Sequence, residues 1–353
     1  MATLTPEDVF RVLYGSGDRQ VKLPDLRHAL RAAGDIYHYI YDKLREYKGP
    51  RYFDSERLAT RVDRLTTLCF HGATEARLRN LSLLVTWICY KVEIQEKLDP
   101  WTPSPPPIYE ATTALSVRHL ILYPDERHIT ANTSTMGVFL FRFAQGIRLE
   151  PTYFRVNPSK LMLPIQQFLA AWRSEKEWRR SNAVVLTEEF EDVRCKASGV
   201  DIILGLMDYA HGTDFTGIEL NSTFPKRSTR HLTLVIRDVM SLEGDLFARR
   251  TLSTIISRWA MLLAQGHHVD PAETVSVYSY EQLQGLFTQF TEEADWVSRL
   301  SYWSAQANRV KELLIRSYKN IIAGFLSERR LLDPLCPFGT APIEMYKVMV
   351  VRP

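Results

Sequence analysis

The stretch TEARLRNLSLLVTWICYKVEIQEKL, Thr74–Leu98, carries apolar residues on nearly every side of its middle turns. A surface helix needs only one apolar stripe, so a helix of this character is buried through its centre. Asp99 and Pro100 end it, because proline cannot continue a helix and disfavours helical backbone before it. Covering such a helix takes other helices, and the chain supplies them on both sides.

Upstream, Thr5 suits a cap and Pro6 a first helical position before VFRVLY. LPDLRHALRAAGDIYHYIYDKLREY repeats Leu26, Leu30, Ile36, Tyr37, Ile40 and Leu44 at helical spacing, and DSERLATRVDRLTTLCF follows with Asp54 or Ser55 as cap. Downstream, DPWTPSPPPIYEA, Asp99–Ala111, sets five prolines close together. Between a buried helix and an apolar segment it reads as a stiff polyproline bracket inside the fold rather than as a ligand for a peptide-binding module.

The texture then changes. LSVRHLILYPDERHITA and TMGVFLFRFAQGIRLEPTYFRV contain short β-like runs bounded by Pro124, Gly146 and Pro151. Helix resumes at SKLMLPIQQFLAAWRSEKEWRR, with Pro164 near its first turn or at a kink. GVDIILGLMDYAHG is ambiguous, and HLTLVIRDVM leans slightly to strand through its β-branched residues. DLFARRTLSTIISRWAMLLAQG reads as a helix from Asp245 to Gly266; two or three more follow, broken near Ser298–Ser304, and PIEMYKVMVV reads as a final strand. The fold class expected is mainly α, with minor β. Four parts are expected: 1–100 helical, 101–157 the proline bracket with short β segments, 158–270 helical or mixed, and 271–353 helical with a terminal strand.

The totals fit a globular chain. It has 353 residues, 45% hydrophobic and 24% charged, which permits a full core and excludes wholesale disorder. With 44 basic against 41 acidic residues the net charge is +3, too small to predict nucleic-acid binding by bulk electrostatics. Cys69, Cys89, Cys195 and Cys336 are scattered without a CxxC pair, as in a reducing compartment. MATLTPEDVF is not a secretory signal, and no stretch reaches a membrane span, so a soluble intracellular chain is expected.

Each chemical candidate has a bland reading beside it. His211 with Asp214, and His267 and His268 with Asp270, could ligate a divalent metal, yet neither set has the HExxH pattern and loop or capping roles suit them better. YGSGDRQ lacks the spacing of a phosphate loop, and the carboxylates of Glu188–Asp192 fit a solvated first turn of a helix. No catalytic constellation emerges, and the chain is expected to be neither an enzyme nor a cofactor protein.

Basic residues interleaved with aromatics offer more. Arg173, Lys176, Arg179 and Arg180 lie beside Trp172 and Trp178; Lys226, Arg227 and Arg230 form a second set, and Arg309, Lys311, Arg316 and Lys319 a third. Such sets can hold phosphates and stack bases, so these are the candidate RNA-facing residues. Against that, Glu175 and Glu177 can pair with their neighbours and the tryptophans can anchor a core. Seven Trp, sixteen Tyr and sixteen Phe also suit large self-association interfaces.

The helical LRNLSLLVTWICYKVEIQEKLDPWTPSPPP, the mixed middle and the helical YWSAQANRVKELL together resemble the capsid proteins of partitivirus-like double-stranded RNA viruses. That resemblance implies a helical shell domain with a smaller protruding segment, homo-oligomeric dimers closing into an icosahedral particle, weak contact with viral RNA, a viral polymerase inside, no membrane, and a place in the virion and host cytoplasm. Two alternatives stand beside it: a nucleoprotein of a negative-strand RNA virus, with the proline stretch as hinge, and a metal-dependent hydrolase using His211, Asp214, His267, His268 and Asp270.

Overall fold

The computed structural model describes residues 35–47, 55–97, 121, 135–150, 158–181, 187–219, 223–247, 271–302 and 304–327. The first helices are α1 (Asp35–Glu46), α2 (Ser55–Cys69), α3 (Glu75–Lys97) and α4 (Thr135–Arg148). The long α5 (Pro158–Ser181) leads into α6 (Thr187–Ala197) and the short α7 (Val200–Gly205), α8 (Met207–His211) and α9 (Thr216–Glu219). Three long helices follow: α10 (Thr223–Phe247), α11 (Pro271–Arg299) and α12 (Ala305–Ser327). The mainly α class holds, and no strand occurs among the described residues. The proline bracket, the terminal strand, Cys336, His267, His268 and Asp270 lie outside them.

Periodicity explains both agreement and error. In α1, Ile36, Ile40 and Leu44 are spaced to face inward and are buried. α3 is buried all round its middle, as its composition predicts, and its interior hydroxyls bond back within the helix: Ser82 to the Arg79 carbonyl and Thr86 to the Ser82 carbonyl.

The β-like reading of 135–156 fails where it can be checked. Met136, Phe139, Leu140, Phe143, Ala144 and Ile147 are buried at helical intervals along α4. The extra buried Phe141 and the bulky runs disguise that period as an extended segment. Ile121, within the other β-like stretch, is also helical and buried. HLTLVIRDVM lies inside α10, where Leu232 and Ile236 enter the core and the hydroxyl of Thr233 bonds the Arg230 carbonyl. Tertiary burial outweighs the weak strand preference of its β-branched residues. The helix expected to start at Asp245 does not start there: Asp245 is in the last turn of α10.

Helices α1, α2 and α3 pack on one another, α12 packs on α2, and α10 bridges α11 and α12. Two glycines permit close approaches. A Cβ on Gly146 of α4 would lie 2.2 Å from Asn80 Oδ1 of α3. One on Gly205 would lie 2.4 Å from the Lys160 carbonyl oxygen, which Pro164, four residues on in α5, cannot bond in the helical ladder. Pro164 therefore sits inside α5, and the carbonyl it frees lies against α7.

Candidate active site

Helices α3 and α5 meet through two successive rungs of large side chains. The rings of Trp87 and Phe168 lie 5.4 Å apart, and one turn further along both helices the Lys91 ammonium lies 5.2 Å from the centre of the Trp172 ring. Because 87 pairs with 168 and 91 with 172, the two segments run in the same direction. Trp87 and Phe168 are buried, and Lys91 is only 5% exposed. Lys176, one turn beyond Trp172 on α5, also lies over that ring at 5.6 Å. The indole N–H groups of Trp87 and Trp172 are buried without a hydrogen-bond acceptor.

A buried ionic triad adjoins the second rung. Glu175 of α5 and Asp238 of α10 both accept from Arg194 of α6, at 3.1 and 2.5 Å, and all three are at most 2% exposed. One guanidinium thus ties three helices together, in the bridging geometry that suits arginine. Nearby, Arg230 pairs with Asp201 at 2.6 Å. Burial pushes the Cys195 thiol up to about 12, so it remains a protonated, inert group.

At another level of the bundle, His211 Nε2 lies 3.0 Å from Ser317 Oγ. Ser317 donates its one hydroxyl proton to the Leu313 carbonyl at 2.8 Å, so it accepts from His211, and the pair is not a base-activated nucleophile. Burial, followed by the positive charge of Arg77, holds His211 down at about 4. Asp214 caps α9 through the Thr216 amide and hydroxyl. The two therefore have separate local roles, and Asp208 is paired with Lys160.

The basic residues are placed on three helices. On α5, Arg173 is exposed and Lys176 half-buried, while the side chains of Arg179 and Arg180 lie outside the described set. On α10, Arg227 is exposed, Lys226 half-buried, and Arg230 held by Asp201. On α12, Arg309 and Arg316 are exposed and Lys319 half-buried; Lys311 is buried and donates to the Ser298 and Leu300 carbonyls at 2.5 and 2.7 Å, closing the end of α11. Glu188–Asp192 falls in the first turns of α6, as expected.

Solved structures share this architecture. Linalool/nerolidol synthase from Streptomyces clavuligerus, in complex with 2-fluorogeranyl diphosphate, is 15% identical, with a TM-score of 0.59 over 88% of this chain and 96% of its own. Germacradien-4-ol synthase from Streptomyces citricolor is 12% identical, with a TM-score of 0.63 over 84% of this chain and 96% of its own. Hedycaryol synthase in complex with nerolidol is 16% identical, with a TM-score of 0.56 over 90% and 99%.

The fold is that of terpene synthases.

Independently, residues 159–250 match the sequence profile "terpene synthase family 2, C-terminal metal binding". No curated protein matches the chain. These likenesses overturn the capsid reading and its corollaries: the virion location, the viral RNA and polymerase partners, and the expectation of a non-enzyme. Of the earlier readings, the metal-dependent hydrolase held as an alternative stands nearer to them than the capsid does. The capsid resemblance rested on helical texture, which unrelated helical folds share.

The profile's name implies a metal. Among the described residues, no three His, Cys, Asp or Glu side chains come together to hold one, and the buried carboxylates Glu175 and Asp238 are both engaged by Arg194. Among the described residues, then, these two carboxylates do not make up a donor set for an ion. Sequence reading missed the central residues because Lys91 looks like an ordinary charge at a helix end and Glu175 like part of a solvated face. The signal available was the spacing Trp87–Lys91 against Phe168–Trp172, an aromatic followed one turn later by a second large side chain on each of two helices.

Proposed function

We propose that the protein is an enzyme of terpene-synthase type that ionises a prenyl diphosphate and directs the resulting carbocation to a hydrocarbon or alcohol. The observation that carries this reading is the Trp87–Phe168 aromatic rung beside the buried Lys91 ammonium, inside a fold shared with a synthase that holds 2-fluorogeranyl diphosphate. The match of residues 159–250 supports it.

In this reading the allylic C–O bond breaks, inorganic diphosphate leaves, and the prenyl chain becomes a cation. Aromatic faces attract such a cation through their quadrupoles, most strongly where water is excluded. The rings of Trp87 and Phe168 would stabilise it along the chain, and the basic end of the α3–α5 seam would hold the departing anion. Charge separation over one interior gives each end its own role.

The test is incubation of purified protein with geranyl and farnesyl diphosphate, with and without Mg2+, followed by gas chromatography–mass spectrometry of a solvent overlay and assay of released diphosphate. A terpene product lost in Trp87→Leu supports the reading. Absence of product and of released diphosphate from both substrates under both conditions would sink it.

A further inference from the structure

We propose that the guanidinium of Arg194 is an internal cation that keeps Glu175 and Asp238 closed to divalent metal, a contact that must be withdrawn before either carboxylate can ligate an ion. The bearing of this contact on catalysis rests on the proposed function; the exclusion itself rests on the geometry below.

All three residues lie within 159–250, the part of the chain that matches a profile named for metal binding. Mg2+ and Mn2+ are hard cations that proteins take up through one or two carboxylates and water. Glu175 of α5 and Asp238 of α10 are such a pair, set by two helices against one guanidinium. Nη1 of Arg194 donates to Glu175 Oε1 at 3.1 Å, and its Nη2 donates to Asp238 Oδ1 at 2.5 Å. Both carboxylates are therefore held through separate nitrogens of one planar group, as the fixed fork of an arginine allows.

Burial makes the arrangement exclusive. Glu175 and Asp238 are 0% exposed and Arg194 2%. In a medium of low polarity each ion pair is strong, and an ion arriving from water has to shed its hydration to compete. Arg237, next to Asp238 in sequence, is also buried, at 5%, which adds a second cationic residue to this part of α10. Among the described residues no third His, Cys, Asp or Glu joins the pair. An ion held by the two carboxylates would cost Arg194 both of these bonds in the core, so the two states exclude each other.

The experiment strips the full-length protein with EDTA, dialyses it, and titrates it with Mn2+, counting bound ion by electron paramagnetic resonance and calorimetry. Wild type and Glu175→Gln are expected to bind the same number of ions per chain. Arg194→Gln removes the internal charge and should bind one ion more than wild type; adding Glu175→Gln to it should abolish that ion. Saturating Mn2+ should also raise the thermal midpoint of Arg194→Gln by about 3 °C or more beyond its effect on wild type. Arg173→Gln, an exposed position on α5, should behave as wild type. Far-UV circular dichroism checks each fold; if Arg194→Gln folds neither with nor without Mn2+, the comparison of wild type with Glu175→Gln decides. An ion lost from wild type by Glu175→Gln, or no extra ion in folded Arg194→Gln, would overturn the proposal. If the extra ion appears while neither prenyl diphosphate is turned over by wild type, the contact stands and the synthase reading fails. Turnover by a wild type that loses an ion on Glu175→Gln removes the contact and keeps the synthase reading.

Discussion

His211 shows how a single side chain's surroundings decide its chemistry. Asp208 is on the same helix but bonded to Lys160, and the charges acting on His211 are those of Arg77, His71 and Arg316, all unfavourable to its protonation. With its pKa at about 4 in the fold and 6.5 as the ordinary value, the unfolded chain binds the proton more readily between those limits. His211 therefore contributes full stability above about pH 6.5 and loses it as pH falls towards 4. His231, also lowered by burial, acts in the same direction. Urea midpoints measured at pH 7.5 and 5 should fall with acid in wild type, and His211→Gln should flatten that fall. An unchanged slope in the variant would contradict the assignment. Trp87 makes a second prediction at this scale, which follows from the proposed function: there Trp87→Leu would remove a desolvated cation–π partner of about 2 kcal/mol, so turnover of a prenyl diphosphate should drop about thirtyfold, while Trp87→Phe should lose much less.

Between elements, energetics turn on buried charge and on close approach. Arg194→Met removes the guanidinium from which Glu175 and Asp238 both accept in the core, at a cost of about 3–5 kcal/mol. Adding Glu175→Gln and Asp238→Asn to that variant should recover a large part of the loss in denaturant titrations, since the penalty comes from the stranded charges. Helices α2 and α12 depend on a different device. A Cβ on Gly324 would lie 2.4 Å from Cys69 Sγ, and the nearby Leu65 Cδ1 at 3.4 Å leaves little space for retreat. Gly324→Ala should therefore destabilise by about 1–3 kcal/mol, and Cys69→Ala in the same chain should return part of it. Additive losses in that double-mutant cycle would show that the thiol is not what the new methyl meets.

For the molecule as a whole, the synthase fold makes a prediction opposite to that of a shell protein: light scattering behind size exclusion should show no megadalton particles at any salt concentration. Far-UV circular dichroism should be dominated by helix. Residues far apart in sequence build the candidate site: α3 and α5 bring Trp87 to Phe168 and Lys91 to Trp172, and Arg194 of α6 joins α5 to α10.

Much of this was legible in the chain. The all-round apolar centre of α3, the proline inside α5, the break between α11 and α12 and the first turn of α6 all follow from local rules of periodicity, capping and backbone restriction, which act within a few residues and need no partner. By itself, then, the sequence determined a large, mainly helical chain with a helix buried through its centre at 74–98 and no strong net charge. It misled where a dense apolar run hid the helical period, as in α4, and where β-branched residues weighed against burial, as in α10. Only the tertiary structure decided that Trp87 meets Phe168, that Lys91 and Lys176 share one indole, and that Glu175 is buried against Arg194 rather than solvated. Those pairings join residues about twenty to eighty positions apart. Neither propensity nor spacing carries that information, because it resides in how the faces of separate helices are set against one another.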